Sequence, residues 1–322
     1  MIAIFIIIYL LIPLQNLNAD NNERFNVIFV KSISSSKDIL KNKSFFNKVK
    51  DFIVGDDDYS FSKPNNIIAI DTSEYLVLDQ GNQGIVSINV TTSEFEFIEN
   101  KVFQFFPSLA GFSSGNNYNY FTDSKLNKIF IIDKEKHISE FKTDIILNQP
   151  TGLSFSKISN QLVVSETANH RVVIFDENGE IIKIIGQRGV GDSEFNFPTY
   201  NCTDKDGNIY INDAMNFRIQ IFDKEGTFKN QFGSQGDASG YFASSKGLAI
   251  DSYGHIYVVD ALFNCVQIFD RKGDFLYSFG KKGSENGEFL MPAGIFIDKS
   301  DYIYVADAFN SRIQIFKLTA GS

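Results

Sequence analysis

Six acids recur along the chain at near-constant spacing, and four of them are followed five residues later by a base. The acids are Asp79, Asp123, Glu166, Asp213, Asp260 and Asp307, separated by 44, 43, 47, 47 and 47 residues. The bases are Lys128, Arg171, Arg218 and Arg312; Gly84 and Cys265 stand in that place after Asp79 and Asp260. Opposite charges at this spacing can pair across a short turn, and the repeat would then form a structural charge ladder. The two acids without a base, Asp79 and Asp260, are candidates for binding a cation or an amine.

Each acid closes a short apolar run, so the acids must sit at the ends of strands. Around Asp260 four β-like runs follow one another: Gly247–Ile250, Ile256–Val259, Val266–Phe269 and Phe275–Phe279. Turn-forming residues separate them at 252–254, 261–264 and 271–273. A period of forty-odd residues without helical patterning, four strands per period, marks a β-propeller. The strands will be called A to D in chain order. They are apolar on nearly every residue, as in Ile256-Tyr257-Val258-Val259. A strand with one wet face would alternate, so these sheets must be covered on both faces by neighbouring sheets. Most of the 33 Phe residues are then filler between blades.

Six acids predict six blades. The last lacks a D strand, because the chain ends six residues after Phe316. Residues 28–34 line up with 274–280, the D strand of blade five. The N-terminal strand is therefore expected beside Arg312–Phe316, closing the ring. Closure covers an edge that would otherwise invite aggregation. The fold predicted is all-β: a six-bladed propeller closed by an N-terminal outer strand. The segment 35–63 between that strand and blade one carries Phe45, Phe46, Val49, Phe52 and Ile53 at helical spacing. A short helix is expected over 43–54, lying on the face that holds the B–C turns and the links between blades, here called the top.

The pattern P-x-G-I-x-x-D, then I-Y-V-A-D-x-x-N-x-R-I-Q-I-F, then a strand ending in Phe-Gly, resembles the NHL repeat. The stretch 292–316 is a near-complete copy; 208–222 and 161–175 follow it closely, and the first two units are eroded. The absence of Trp sets aside the WD-type propeller. The resemblance is to exported bacterial members and implies protein–protein interaction as the commonest role. Propellers of this kind also include zinc- and calcium-dependent enzymes, whose metal would need converging ligands. His170 falls in a top turn, whereas His137 and His255 fall on the opposite face. A zinc site needs several ligands around one ion at about 2.0–2.3 Å, which two faces cannot supply. No metal site is assigned. Calcium in the channel is left open, since the A strands line it; Asn201, in the polar stretch 200–203, is the candidate channel ligand. Cys202 and Cys265 fall in different blades on strands two places apart, too far for a disulfide. No phosphate-binding loop and no nucleophile elbow is present, and Asp56–Asp58 lacks the spacing of a calcium loop.

Met1 to Leu14 is almost wholly apolar and shorter than the roughly 20 residues that span a bilayer. It reads as a signal peptide, residues 1–19, with cleavage after Ala19, although no Lys or Arg precedes it. A retained anchor is the alternative. Residues 20–322 then form one propeller in the periplasm or outside the cell. A net charge of -9 argues against nucleic acid or an anionic membrane surface as partner. The expectation is a non-catalytic scaffold, without cofactor, binding a protein, peptide or glycan. Its contacts would be the top face and channel mouth, including Phe45, Phe46 and Phe52. A calcium-dependent lactonase- or lyase-like enzyme is the alternative.

Overall fold

A computed structural model describes residues 25–39, 59–98 and 105–320. Six four-stranded antiparallel sheets make up the molecule. Blade one comprises Pro64–Ala69, Glu74–Asp79, Gly84–Asn89 and Glu94–Phe97. Blade four comprises Pro198–Thr203, Ile209–Asp213, Arg218–Phe222 and Phe228–Phe232. Blade five comprises Ser245–Ile250, Ile256–Asp260, Cys265–Phe269 and Phe275–Phe279. Blades two and three repeat the plan from Leu109 to Phe141 and from Pro150 to Ile185. The A strands of successive blades contact one another and surround the axis.

Blade six is assembled from both ends of the described chain. Its inner strands are Ile295–Ile297, Tyr302–Asp307 and Arg312–Ala320. Its outer strand is Phe25–Ile33, paired antiparallel with Arg312–Ala320 so that Phe29 faces Phe316 and Ile33 faces Ile313. The expected signal peptide 1–19, the expected helix 43–54 with Phe45, Phe46 and Phe52, and Asp56–Asp58 lie outside the described residues.

One apolar cluster fills each contact between neighbouring blades. The B and C strands of blades four and five are buried at every position, whereas the D strand Phe228–Phe232 is largely exposed. Double-sided apolarity thus belongs to the middle strands, because only they have a blade against each face. Each buried Val, Ile, Leu or Phe contributes about 1.5–3 kcal/mol. The links between blades add a plug of their own. Phe195, Phe242 and Phe289 turn inward from the 12-residue links and are fully buried. The D strand before each of these links is followed by a glycine with positive φ, as at Gly280 (φ 88°). A Cβ on Gly280 would stand 2.4 Å from the Phe289 ring, so only glycine admits the plug.

Candidate binding surface at the top of the channel

The acid that ends each B strand is fully buried in all six blades. Each accepts a backbone N–H from the link that leads into its own blade. The donors are Ser62, Ser108, Asn148, Asn196, Ala243 and Leu290, at 2.6–3.0 Å. A buried carboxylate requires such donors, so the acids tie the links to the B–C turns. The expected ladder exists in three blades: Arg171 meets Glu166, Arg218 meets Asp213 at 2.8 Å, and Arg312 meets Asp307 at 2.7 Å. In blade two the base turns outward instead, and Lys128 contacts Glu140 on the D strand. Asp123 there caps the turn amides of Lys125 and Leu126.

Asp79 and Asp260 lack a base but not partners. Asp79 accepts from the Tyr59 hydroxyl at 2.8 Å, the Asn82 side chain at 2.8 Å and the Lys63 amide at 2.9 Å. Burial, and then the charge of Asp79, hold the Tyr59 phenol well above its ordinary pKa, so it stays a donor. Asp260 accepts from the amides of Ala243, Ser244, Leu262 and Phe263 at 2.8–3.2 Å. Both candidate acids are thus engaged by hydrogen bonds within the protein.

Asn201 also departs from expectation. It is buried, its amide donates to Ser165 Oγ at 2.8 Å, and it accepts from Ser154 Oγ at 2.6 Å. It faces blade three, not the channel. The cause is a bulge that blade four shares with blades two, three and five: the A–B register shifts between Pro198 and Asn201 as it does between Leu109 and Phe112, Pro150 and Leu153, and Ser245 and Leu248. An extra residue in a strand re-aims the next side chains. Tyr200 takes the channel position, and its hydroxyl lies 3.5 Å from Asn65 Oδ1 on the A strand of blade one. Blades one and four are opposite in a six-fold ring, so this contact spans the axis. Tyr200 is half-buried, and desolvation pushes its phenol up to about 12. The signal was present in the chain. Gly111, Gly152, Gly247 and Gly294 hold the corresponding position in four blades, and Asn66 and Tyr200 replace them in two.

Around this bar lie further channel-mouth residues, Thr151, Thr199 and Lys246, all partly exposed at the start of their A strands. Lys63, just before blade one, extends over the Phe309 ring at 5.3 Å. The top turns bear exposed apolar side chains at the same position of three successive blades, two residues after the acid: Met215, Leu262 and Phe309 at 54%, 58% and 58% exposure.

The histidines do not converge. His170 Nδ1 accepts from the Phe197 amide at 3.1 Å on the top. His137 and His255 sit against Asp133 and Asp251 at 3.2 and 2.7 Å in turns of the other face. Among the described residues no three His, Cys, Asp or Glu side chains form a group suited to a metal ion. Cys202 and Cys265 are free thiols. Burial pushes Cys265 up to about 12 and raises Cys202 as well, which leaves neither as a thiolate nucleophile at neutral pH.

Comparison with known proteins agrees with the architecture. A family model described as a 6-bladed beta-propeller matches residues 199–264 and 250–322. A protein of unknown function from Bacteroides thetaiotaomicron superposes with a TM-score of 0.69 at 16% identity, covering 92% of this chain and 77% of the other. An auxiliary nutrient binding protein from the same organism gives 0.64 at 14%, covering 80% and 69%. Virginiamycin B lyase from Staphylococcus aureus gives 0.61 at 14%, covering 92% and 100%. At such identities the likeness is one of fold. No curated protein matches by sequence.

Proposed function

We propose that this chain is a non-catalytic binding scaffold of the NHL type. It is exported to the periplasm or beyond the cell and takes a protein, peptide or glycan at its top face and channel mouth. One observation carries the reading: the apolar arc of Met215, Leu262 and Phe309 on neighbouring turns beside the channel. Apolar side chains scattered singly are ordinary, whereas an adjoining set marks a contact surface. Similarity in fold to a nutrient binding protein supports a binding role. Export rests on the apolar start of the sequence; among the described residues no helix is long and apolar enough to cross a membrane.

The test is a triple variant, M215S/L262S/F309S, compared with the parent chain on immobilised peptide and glycan arrays. The expected result is loss of the ligands the parent captures, with an unchanged melting temperature. Retention of every captured ligand would reject the top face as the contact. Mass spectrometry of the N-terminus from the exported fraction checks localisation, with Asp20 expected as the first residue.

A further inference from the structure

Within an acidic protein, two lysines stand at the top of the channel. Lys246 is the second residue of the A strand of blade five, and Lys63 precedes that of blade one, two blades away around the ring. Neither ammonium forms an ion pair among the described residues. Asp260 is a carboxylate whose charge reaches Lys246, yet its oxygens are taken by backbone amides. Burial first, and then the charge of Lys63, loosen the hold of Lys246 on its proton. Two like charges thus stand at the same end of the channel, at the start of A strands two blades apart around the axis, an arrangement that an anion would relieve. The net charge of -9 repels anions at long range. Salt screens that repulsion beyond about 8 Å, so nearby charges, the two lysines and Asp260 among them, set the field at the mouth.

Below them the contact between Tyr200 and Asn65 crosses the axis. It gives the mouth a polar floor. Beside them Leu262 and Phe309 are exposed on the turns of blades five and six, and Lys63 already lies over the Phe309 ring.

We propose that the top mouth of the channel binds an anionic group, carboxylate or phosphate, carried next to an apolar body. Lys63 and Lys246 hold the anion, and Leu262 and Phe309 receive the apolar part. The assignment rests on the top-face reading above and names the ligand chemistry it selects.

Calorimetric titration of the purified chain at low ionic strength tests it. The probes are phenylpropionate, phenylpropyl phosphate, phenylpropanol and phenylpropylamine. The anions are expected to bind, with the phosphate-to-carboxylate ratio distinguishing the two sources, and the alcohol and amine to bind at least about tenfold more weakly, the worth of one charge-assisted contact. K63M and K246M are each expected to lower anion affinity about tenfold while leaving that of the alcohol alone. K63Q and K246Q serve as second variants, and thermal melting verifies the fold of each. Equal binding of alcohol and anion, unchanged anion binding in K63M/K246M, or no anion binding at millimolar concentration would each overturn the proposal. The failures separate cleanly. Binding of the alcohol that L262S/F309S abolishes and the lysine variants do not would sink the anion site and leave the top-face reading standing.

Discussion

Blades four and one solve the same problem with different residues. Both bury an acid at the end of strand B, and both must satisfy it. In blade four Asp213 meets Arg218, whose guanidinium runs on to the carbonyls of Val190, Gly191 and Glu194 in the link. Gln220 donates to Glu194 O and Asp213 and accepts from the Ser193 amide. Blade six repeats this with Arg312 and Gln314. In blade one Gly84 replaces the base, and Tyr59 and Asn82 reach Asp79 from the segment before the blade and from the turn. Blade five is intermediate: Cys265 replaces the base, and Gln267 holds the link through Tyr241 O and the Gly240 amide, beside the Ala243 and Ser244 amides that donate to Asp260. The base is therefore not required to keep the acid buried, since converging dipoles suffice. What arginine adds is purchase on a long link, which stays in place over the top of the blade.

The contrast can be broken most severely at Asp213. D213A leaves the nearly buried Arg218 without its counter-charge, and a loss of about 3–5 kcal/mol is expected in chemical denaturation. D260N, which meets only amides, should cost less, about 1–3 kcal/mol; an equal cost for the two would erase the distinction drawn here. Next comes Y59F, which removes one donor from Asp79; a cost of about 1.5–3 kcal/mol is expected, the worth of a hydrogen bond to a charged group. If Y59F proves silent, Asn82 and the amides alone hold that acid. A smaller effect is expected at the channel. Y200F removes a single long contact and should cost under about 1 kcal/mol, read as a small shift in melting temperature.

The smallest effect is one of pH. Lys246 binds its proton less tightly in the folded chain than its ordinary value of 10.5. Between the lowered and the ordinary value the unfolded chain carries more protons, so stability rises with pH across that window. K246M is accordingly expected to be the more stable form at neutral pH, with the gap to the parent closing by pH 10.5. A gap that stays constant with pH would place Lys246 in open solvent.

The repeat of acids told most of the fold in advance, because one acid per blade counts the blades and double-sided apolar strands demand neighbours on both faces. The boundaries came within two residues in blade five, where the A strand begins at Ser245 rather than Gly247. The site was less legible. Asn201 was the natural candidate from its type, but a bulge gives the channel position to Tyr200. Pairing of each acid with its base was misleading in blade two, where Lys128 and Glu140 find one another across strands. Asp79 offered no local clue to Tyr59, which stands 20 residues earlier.

Sequence alone determined what is written as a period: the number of sheets and their stacking, since these follow from which residues must leave water. Tertiary structure decided whatever depends on direction. Which side chain enters the channel, and which lysines stand at its mouth, turn on strand register and on contacts between residues far apart in the chain. A one-residue shift in a strand exchanges its two faces, and no count of residue types reveals where that shift falls.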